Sequence, residues 1–163
     1  MPPTLTLPRA DGTLSRYTLT GQTPVAGAPG PIQSRIGMAA VHVVADPLAA
    51  INPTLDVALD WEATLGYRRY VWSLGLAVAE AMDTAQRGMG LPWSSAKELI
   101  ERSVAEAKSV AGAVVASGAG TDDLVPGARV TIADVEAAYE ESCGFIESVG
   151  GRIILMASRA LAA

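Results

Sequence analysis

The sequence is poor in cysteine, in clustered positive charge and in long apolar runs. Cys143 is the only cysteine among 163 residues, which excludes a disulfide within the chain and fits a reducing compartment. Because Cys143 stands at helical spacing from Tyr139 and Ile146, we interpret it as a buried core side chain and not as a nucleophile.

Positive charge is scattered: the twelve lysines and arginines form no cluster, and the formal net charge is −5. This pattern excludes the basic surface that nucleic-acid binding requires, so we expect no nucleic-acid partner. No run approaches the roughly 20 apolar residues of a membrane span, and the start MPPTLTLPRADG lacks the features of a secretory signal. We therefore expect a cytoplasmic protein with no membrane partner.

What the sequence does contain is apolar residues in a regular arrangement. Half of its residues are hydrophobic, which predicts a folded core. Four stretches rich in Ala, Val, Ile and Gly begin at residues 35, 74, 111 and 150, at intervals of 39, 37 and 39 residues. Such an interval accommodates one strand, one helix and two loops, which predicts repeated βα units and a parallel sheet buried on both faces.

Three segments with helical periodicity separate these stretches. They cover residues 54–73, a segment that begins at Pro92, and residues 131–150. The apolar stripes that we expect to face the sheet are Ala58, Trp61, Leu65 and Trp72; Ala96, Leu99, Ile100, Ser103, Val104 and Ala107; and Ile132, Val135, Tyr139, Cys143, Ile146 and Val149.

Capping signals mark two of these helices. Ser95 precedes Glu98 by three residues, and Thr131 precedes Asp134 by three, which is the pattern of a capping box. Gly150 supplies the stop of the third helix.

The first 34 residues follow a different pattern. LTLPRADGTLSRYTL alternates apolar and polar residues around Asp11 and Gly12, which predicts a β-hairpin, and the Pro/Gly-rich TPVAGAPGP follows as a linker. We expect residues 1–34 to form this hairpin and linker, with the hairpin packed against the end of the sheet opposite the active site. Residues 35–163 then form the sheet domain.

Two α/β architectures fit repeated βα units: a doubly wound open sheet and the first half of a (βα)8 barrel. A Rossmann-type nucleotide fold places a glycine-rich phosphate loop directly after its first strand, and here HVVADPLAAINP stands in that position. We therefore favour a TIM barrel, represented by about four βα units after the N-terminal β-hairpin.

Chemistry in parallel α/β folds gathers at the carboxyl ends of the strands. The first end offers His42, the sole histidine, and the second offers Glu80 and Asp83. We take these three as candidate catalytic acid/base residues, or alternatively as ligands of a divalent metal. The structural interpretations are a hydrogen-bonded core histidine, and carboxylates that pair with Arg87 or Arg159.

The third and fourth strand ends predict a substrate site. The backbone N–H groups and hydroxyls of SGAGTDD could hold a carboxylate or phosphate, and a planar guanidinium near the chain end could clamp a carboxylate. The alternative for the two aspartates of this loop is a turn cap or a solvent-facing position. The candidate substrate-binding residues are Ser117, Gly118, Gly120, Thr121, Asp122, Ser158 and Arg159.

The motifs HVVADP, EAMDTAQRGMGL, ASGAGTDDL and GGRIILMASRALA together resemble an uncharacterised bacterial family of dihydrodipicolinate synthase-like proteins, within the dihydrodipicolinate synthase/N-acetylneuraminate lyase superfamily. The resemblance implies a barrel of the class I aldolase type and a lyase or aldolase acting on a small carbonyl acid. By position, the superfamily's glycine-rich loop falls on residues 117–122 and its fourth strand ends near residues 158–160. Its paired threonines fall on Ala81 and Met82, and its fourth-strand tyrosine has no counterpart.

The resemblance also implies a Schiff-base lysine on a sixth strand. The chain has two lysines, Lys97 and Lys108, both on the second predicted helix. We therefore expect the N-terminal half of a barrel, inactive alone, whose lysine lies outside this chain. Four strands cannot close a barrel, so the expected partners are a carboxylate substrate and either further copies in a homo-oligomer or a complementary C-terminal half. A half-barrel that self-associates without turnover is the non-enzymatic alternative.

Overall fold

The computed structural model describes residues 4–21, 35–124 and 129–161. Within these ranges the chain forms an antiparallel hairpin and a four-stranded parallel sheet with helices between its strands. None of the helices described has the length and apolar character needed to cross a membrane. The elements are β1 Thr4–Pro8, β2 Leu14–Thr18, β3 Met38–Ala40, α1 Trp61–Ser73, β4 Ala77–Glu80, α2 Trp93–Ser109, β5 Val115–Ala119, α3 Ile132–Ser148 and β6 Ile153–Leu155, with 3-10 turns at Asp83–Ala85 and Arg159–Leu161.

The parallel sheet has the strand order β3-β4-β5-β6, which is the order of the strands along the chain. Crossover connections between parallel strands are right-handed, so this order places all three helices on one face of the sheet. A doubly wound sheet reverses its strand order at a switch point, and no reversal occurs among the four strands described. The same order would occur in the first four units of a barrel, and the barrel itself stays a prediction.

One hydrophobic core lies between the sheet and the three helices. Val78 of β4 and Val115 of β5 belong to this core and form a single cluster with residues of α1, α2 and α3. The predicted inner face of α2 is confirmed. Ala107 is partly buried, and the other five residues of the predicted stripe are buried: Ala96, Leu99, Ile100, Ser103 and Val104. The inner face of α3 begins later than predicted, because Ile132 is the first helical residue and remains 63% exposed, whereas Val135 is buried.

The first helix begins at Trp61, seven residues later than the periodicity suggested. Asp60 is its N-cap, and the Asp60 carboxylate accepts a hydrogen bond from the Ala63 N–H at 2.9 Å. The preceding residues form a long loop closed by hydrogen bonds from the Asp60 N–H to the Val44 carbonyl and from the Asp46 N–H to the Ala58 carbonyl. These contacts commit residues 44–60 to the loop.

The two central strands differ from the two edge strands. Every residue of β4 and β5 is buried, as predicted for strands covered on both faces. The edge strands β3 and β6 are three residues each, and Leu155 at the outer edge is 67% exposed. The difference follows from position, because an edge strand has a neighbouring strand on only one side.

The hairpin predicted around Asp11 and Gly12 is confirmed. β1 and β2 pair antiparallel, and the Asp11 carboxylate accepts hydrogen bonds from the N–H and hydroxyl of Thr13 at 3.0 and 2.7 Å, which lower the pKa of Asp11. All strand residues are exposed except Ser15, which is partly exposed, so the structure gives no support to packing against the sheet. The predicted linker, residues 23–31, lies outside the described residues.

The capping box of α3 is confirmed and that of α2 is wrong. Thr131 Oγ1 accepts the Asp134 N–H at 3.2 Å, and the Asp134 carboxylate accepts the Thr131 N–H at 2.8 Å. In α2 the N-cap is Pro92, so Ser95 already lies inside the helix. Glu98 pairs with Arg102 one turn later instead.

Replacing Thr131 by Ala should lower the free energy of unfolding by about 1 kcal/mol, because the cap hydroxyl is lost. Ser95→Ala is the matched control and should change the free energy by less than about 0.5 kcal/mol. Urea denaturation of both variants measures the difference. Equal losses would show that Ser95 caps α2 after all.

The effect of Thr131→Ala should also depend on pH. Hydrogen bonds from the Thr131 hydroxyl and backbone N–H lower the pKa of Asp134 below its usual 3.8. A lowered folded-state pKa contributes stability above the unfolded value, and this contribution is lost as the pH falls through the folded value. The stability difference between the parent and the variant should therefore shrink below pH 3.8.

Candidate functional site

A cavity of about 470 Å³ lies at the carboxyl ends of β4, β5 and β6. This is the edge where the loops of a parallel sheet converge, and the volume lies within the range of small-molecule sites. The lining residues come from the segments that follow these three strands: Met82, Asp83, Arg87, Met89, Gly120, Thr121, Asp122, Met156 and Ala157.

Two methionine sulfurs lie close to Gly118 of β5. A Cβ at Gly118 would lie 2.6 Å from Met156 Sδ, 3.0 Å from Met82 Sδ and 2.9 Å from the Ala81 carbonyl oxygen. Real side chains do not approach this closely, so the position requires glycine. Both methionines line the cavity, and their thioethers give it an apolar, adaptable wall.

A pair of hydroxyls borders the cavity. Thr121 Oγ1 and Ser158 Oγ are 2.7 Å apart, and both side chains are buried. The end of β6 is held by Tyr139, whose hydroxyl donates to the Met156 carbonyl at 2.6 Å. Of these residues, Thr121 and Met156 line the cavity.

Arg87 fixes the loop that carries Thr121. Its Nε donates to both carboxylate oxygens of Asp122 at 2.7 and 2.9 Å, and its Nη1 donates to the Gly118 carbonyl. Ser142 on α3 accepts from Nη2 at 3.4 Å and donates to the Gly120 carbonyl at 3.1 Å. One buried guanidinium thus joins the β4–α2 loop, the end of β5 and α3.

An aromatic ring covers the same guanidinium. Arg87 Cζ lies 4.3 Å from the ring centre of Trp93, the first residue of α2. A guanidinium stacked on an aromatic face gains a cation–π interaction that strengthens as water is excluded. Asp122 neutralises the charge of Arg87. The exposed carboxylate of Asp83 also lies at the cavity, and no ion pair among the described residues neutralises it.

Glu80, a predicted catalytic residue, forms an ion pair on the helix side of the sheet. Arg68 of α1 donates to Oε1 and Oε2 at 2.8 Å each, and both side chains are fully buried. Ser103 of α2 donates to Oε2 at 2.5 Å, and the Ala81 N–H donates to Oε1 at 2.9 Å. The carboxylate is thus fully hydrogen-bonded and does not line the cavity.

The structure does not bring His42, Glu80 and Asp83 together. The exposed His42 ring lies 4.7 Å from the ring of Tyr67, and only its carbonyl, which accepts from Arg68 at 2.7 Å, reaches the ion pair. Asp83 lines the cavity. The described ranges contain no group of three or more His, Cys, Asp or Glu side chains arranged for a metal ion.

The predicted substrate-binding residues divide between the cavity and its supports. Gly120, Thr121 and Asp122 line the cavity. Ser158 and Gly118 do not line it: Ser158 Oγ contacts Thr121 Oγ1, and Gly118 lies against the sulfurs of Met82 and Met156. Ser117 does not line it, and its buried Oγ has no hydrogen-bond partner among the described residues. The side chain of Arg159 lies outside the described part of the structure.

Arg68 was missed by the sequence analysis, although the sequence carries a signal for it. It falls between Leu65 and Trp72 on the otherwise apolar stripe of α1. A charge on a buried helix face requires a buried partner, and Glu80 is the charge in a buried strand. The predicted partner Arg87 pairs with Asp122 instead.

Removing one member of the Arg68–Glu80 pair should be strongly destabilising. Arg68→Met leaves a buried carboxylate without its counter-charge and should cost about 3–5 kcal/mol. The double variant Arg68→Met/Glu80→Leu removes both charges and should be more stable than the single variant. Denaturant unfolding in a double-mutant cycle measures the coupling.

The control for this cycle is the exposed pair Arg102–Glu98, where Glu98→Gln leaves Arg102 over the Trp61 ring and should cost at most about 0.5 kcal/mol. If Arg68→Met lowers the free energy of unfolding by as little as this control does, a structural role for Glu80 is contradicted.

Replacing Arg87 by Lys should loosen the loop over residues 120–124. The ammonium group of lysine cannot reproduce the planar fork that donates to Asp122 and Gly118. The backbone amides of residues 120–124 should therefore exchange with solvent about tenfold faster. Hydrogen–deuterium exchange with mass spectrometry measures the change. Arg102→Lys on the surface of α2 is the control, and equal exchange in both variants would show that Arg87 does not hold the loop.

Comparison with known families places the chain. Residues 5–163 match the model of a family described as "Protein of unknown function (DUF993)". No curated protein matches the chain.

Proposed function

The chain belongs to the DUF993 family, and we propose that it binds a small carbonyl acid at the cavity on the carboxyl edge of its sheet. It would form the substrate-binding part of a lyase or aldolase that resembles dihydrodipicolinate synthase. The observation that carries the proposal is the buried hydroxyl pair of Thr121 and Ser158 beside this cavity.

One hydrogen of the hydroxyl pair is not used in the contact between the two hydroxyls. Each hydroxyl has one hydrogen, and the contact between Thr121 Oγ1 and Ser158 Oγ uses only one of the two. When Ser158 is the donor within the pair, the hydrogen of the Thr121 hydroxyl can be donated to a carboxylate or carbonyl oxygen of a ligand in the cavity. A buried donor that reaches its ligand in this way favours binding, because it would otherwise lack a full set of partners.

Asp83 supplies the acid/base group in this proposal. Its carboxylate is exposed and lines the cavity, within the space that a bound ligand would occupy. A carboxylate so placed can take up or release a proton at the carbon next to the carbonyl. The buried and fully hydrogen-bonded Glu80 has no access to such a ligand.

The nucleophile of the proposed lyase is not a lysine of this chain. Both lysines lie on α2. Lys97 pairs with Glu141 at 3.0 Å, and Lys108 donates to the Val149 carbonyl at 3.4 Å. Neither lysine lines the cavity. In Schiff-base chemistry an amine adds to the carbonyl carbon and water leaves, so we propose that a segment or polypeptide outside these 163 residues supplies the amine.

Titration with pyruvate, a small 2-oxo acid, tests the binding site. Shifts in ¹H–¹⁵N spectra should cluster on residues 82–89, 119–123 and 156–158. Thr121→Val removes the hydroxyl with little change of shape and should weaken binding about tenfold, because a hydrogen bond to a charged ligand is lost.

Thr18→Val on the exposed hairpin is the matched control and should bind as the parent does. Borohydride added with pyruvate should leave the mass of the chain unchanged, because no lysine borders the cavity. Scattered spectral shifts, equal affinity in Thr121→Val, or a reduced adduct on Lys97 or Lys108 would contradict the proposal.

A further inference from the structure

A second cavity, of about 520 Å³, lies beside the first on the carboxyl edge. Its walls come from the long loop between β3 and α1, residues 43–59, and from the end of the loop between β4 and α2, residues 85–91. Most of the lining is aliphatic, with Val43, Leu59 and Leu91 among its side chains, and Leu91 is buried. This cavity therefore suits a hydrocarbon group.

The two cavities share one wall, the side chain of Met89. Met89 is 59% exposed, so its side chain can change rotamer without disturbing the core. Its loop also holds two non-glycine residues in left-handed backbone, Ala81 with φ 50° and Gln86 with φ 62°. Such conformations cost free energy and concentrate where a loop must hold a defined shape at a binding site.

The two cavities present different polar groups. The first has the hydroxyl of Thr121 and the carboxylates of Asp83 and Asp122. In the second, Asp46, Asp56 and Gln86 are the polar side chains, and Asp46 accepts a hydrogen bond from the Leu48 N–H at 2.9 Å; the other lining side chains are apolar. A ligand that spans Met89 would therefore place a polar group on one side and a hydrocarbon chain on the other.

We propose that the ligand of this chain is a 2-oxo acid with an unbranched hydrocarbon chain of several carbons, and that the chain occupies the second cavity. The inference rests on the proposed function, since the polar end of this ligand is the carbonyl acid of the first cavity. It names a substrate class larger and more apolar than pyruvate. The selectivity for chain length would come from residues 43–59 and 85–91.

A chain-length series measured by isothermal titration calorimetry tests this inference. The probes are pyruvate, 2-oxobutanoate, 2-oxohexanoate and 2-oxooctanoate, with the intact 163-residue chain. Each methylene that enters the second cavity should tighten binding about fourfold, as expected for burial of one methylene group. The expected result is that the binding affinity rises over the series and reaches no plateau before 2-oxohexanoate.

Two variants that fill the second cavity provide the matched comparison. Ala49→Phe and Val57→Trp each place a large side chain from the partly exposed loop into this space, whereas Ala63→Phe adds the same bulk at an exposed position of α1 that lines neither cavity. The ratio of the dissociation constants for pyruvate and 2-oxooctanoate should fall towards one in the first two variants. It should keep its parent value in Ala63→Phe.

The possible outcomes separate this inference from the proposed function. Equal affinity for all four acids in the parent chain would overturn the inference and leave the carbonyl-acid site standing. A rise with chain length that persists in both filling variants would also overturn it, because the hydrocarbon would lie elsewhere. Absence of binding by every acid would overturn both proposals.

Discussion

The Arg68 guanidinium and the Glu80 carboxylate meet between the sheet and the helices, where neither side chain reaches solvent. Two buried charges are tolerable only when their hydrogen-bonding capacity is nearly filled, and here it is. Arg68 also donates to the carbonyls of His42 and Thr64 at 2.7 and 3.0 Å, while Ser103 donates to Glu80. One ion pair therefore joins β4 to both adjacent helices and to the end of β3, so the position of the carboxyl edge depends on it.

A second buried arginine performs the corresponding task nearer the cavity. Arg87 connects the loop after β4 to Asp122 and to the carbonyl of Gly118, and through Ser142 it reaches α3. Arginine suits this position because its planar fork can satisfy several acceptors at once. Both arginines thus stabilise the framework, and the groups left to meet a ligand are the hydroxyl of Thr121 and the carboxylate of Asp83.

Local and periodic features of the fold were predictable from the sequence, because the residues that produce them are close together. The inner face of α2, the capping box of α3 and the hairpin turn are of this kind. The convergence of strand ends placed Thr121 and Asp122 at the site without any knowledge of contacts.

The face of the sheet on which the Glu80 side chain lies could not be predicted in this way. β4 is buried on both faces, so its sequence lacks the polar alternation that would reveal which face the side chain occupies. The pairing of Arg68 with Glu80 and of Arg87 with Asp122 likewise depends on distances across the fold.

The consecutive order of the strands has a consequence for how the molecule assembles. The contact between Arg68 and Glu80 spans 12 residues, whereas the contacts of Arg87 with Asp122 and Ser142 span 35 and 55. Short chain segments lose less entropy on closure than long ones. The contact between Arg68 and Glu80 therefore closes at a smaller entropic cost than the two contacts of Arg87, and the ligand-facing loop depends on the longer closures.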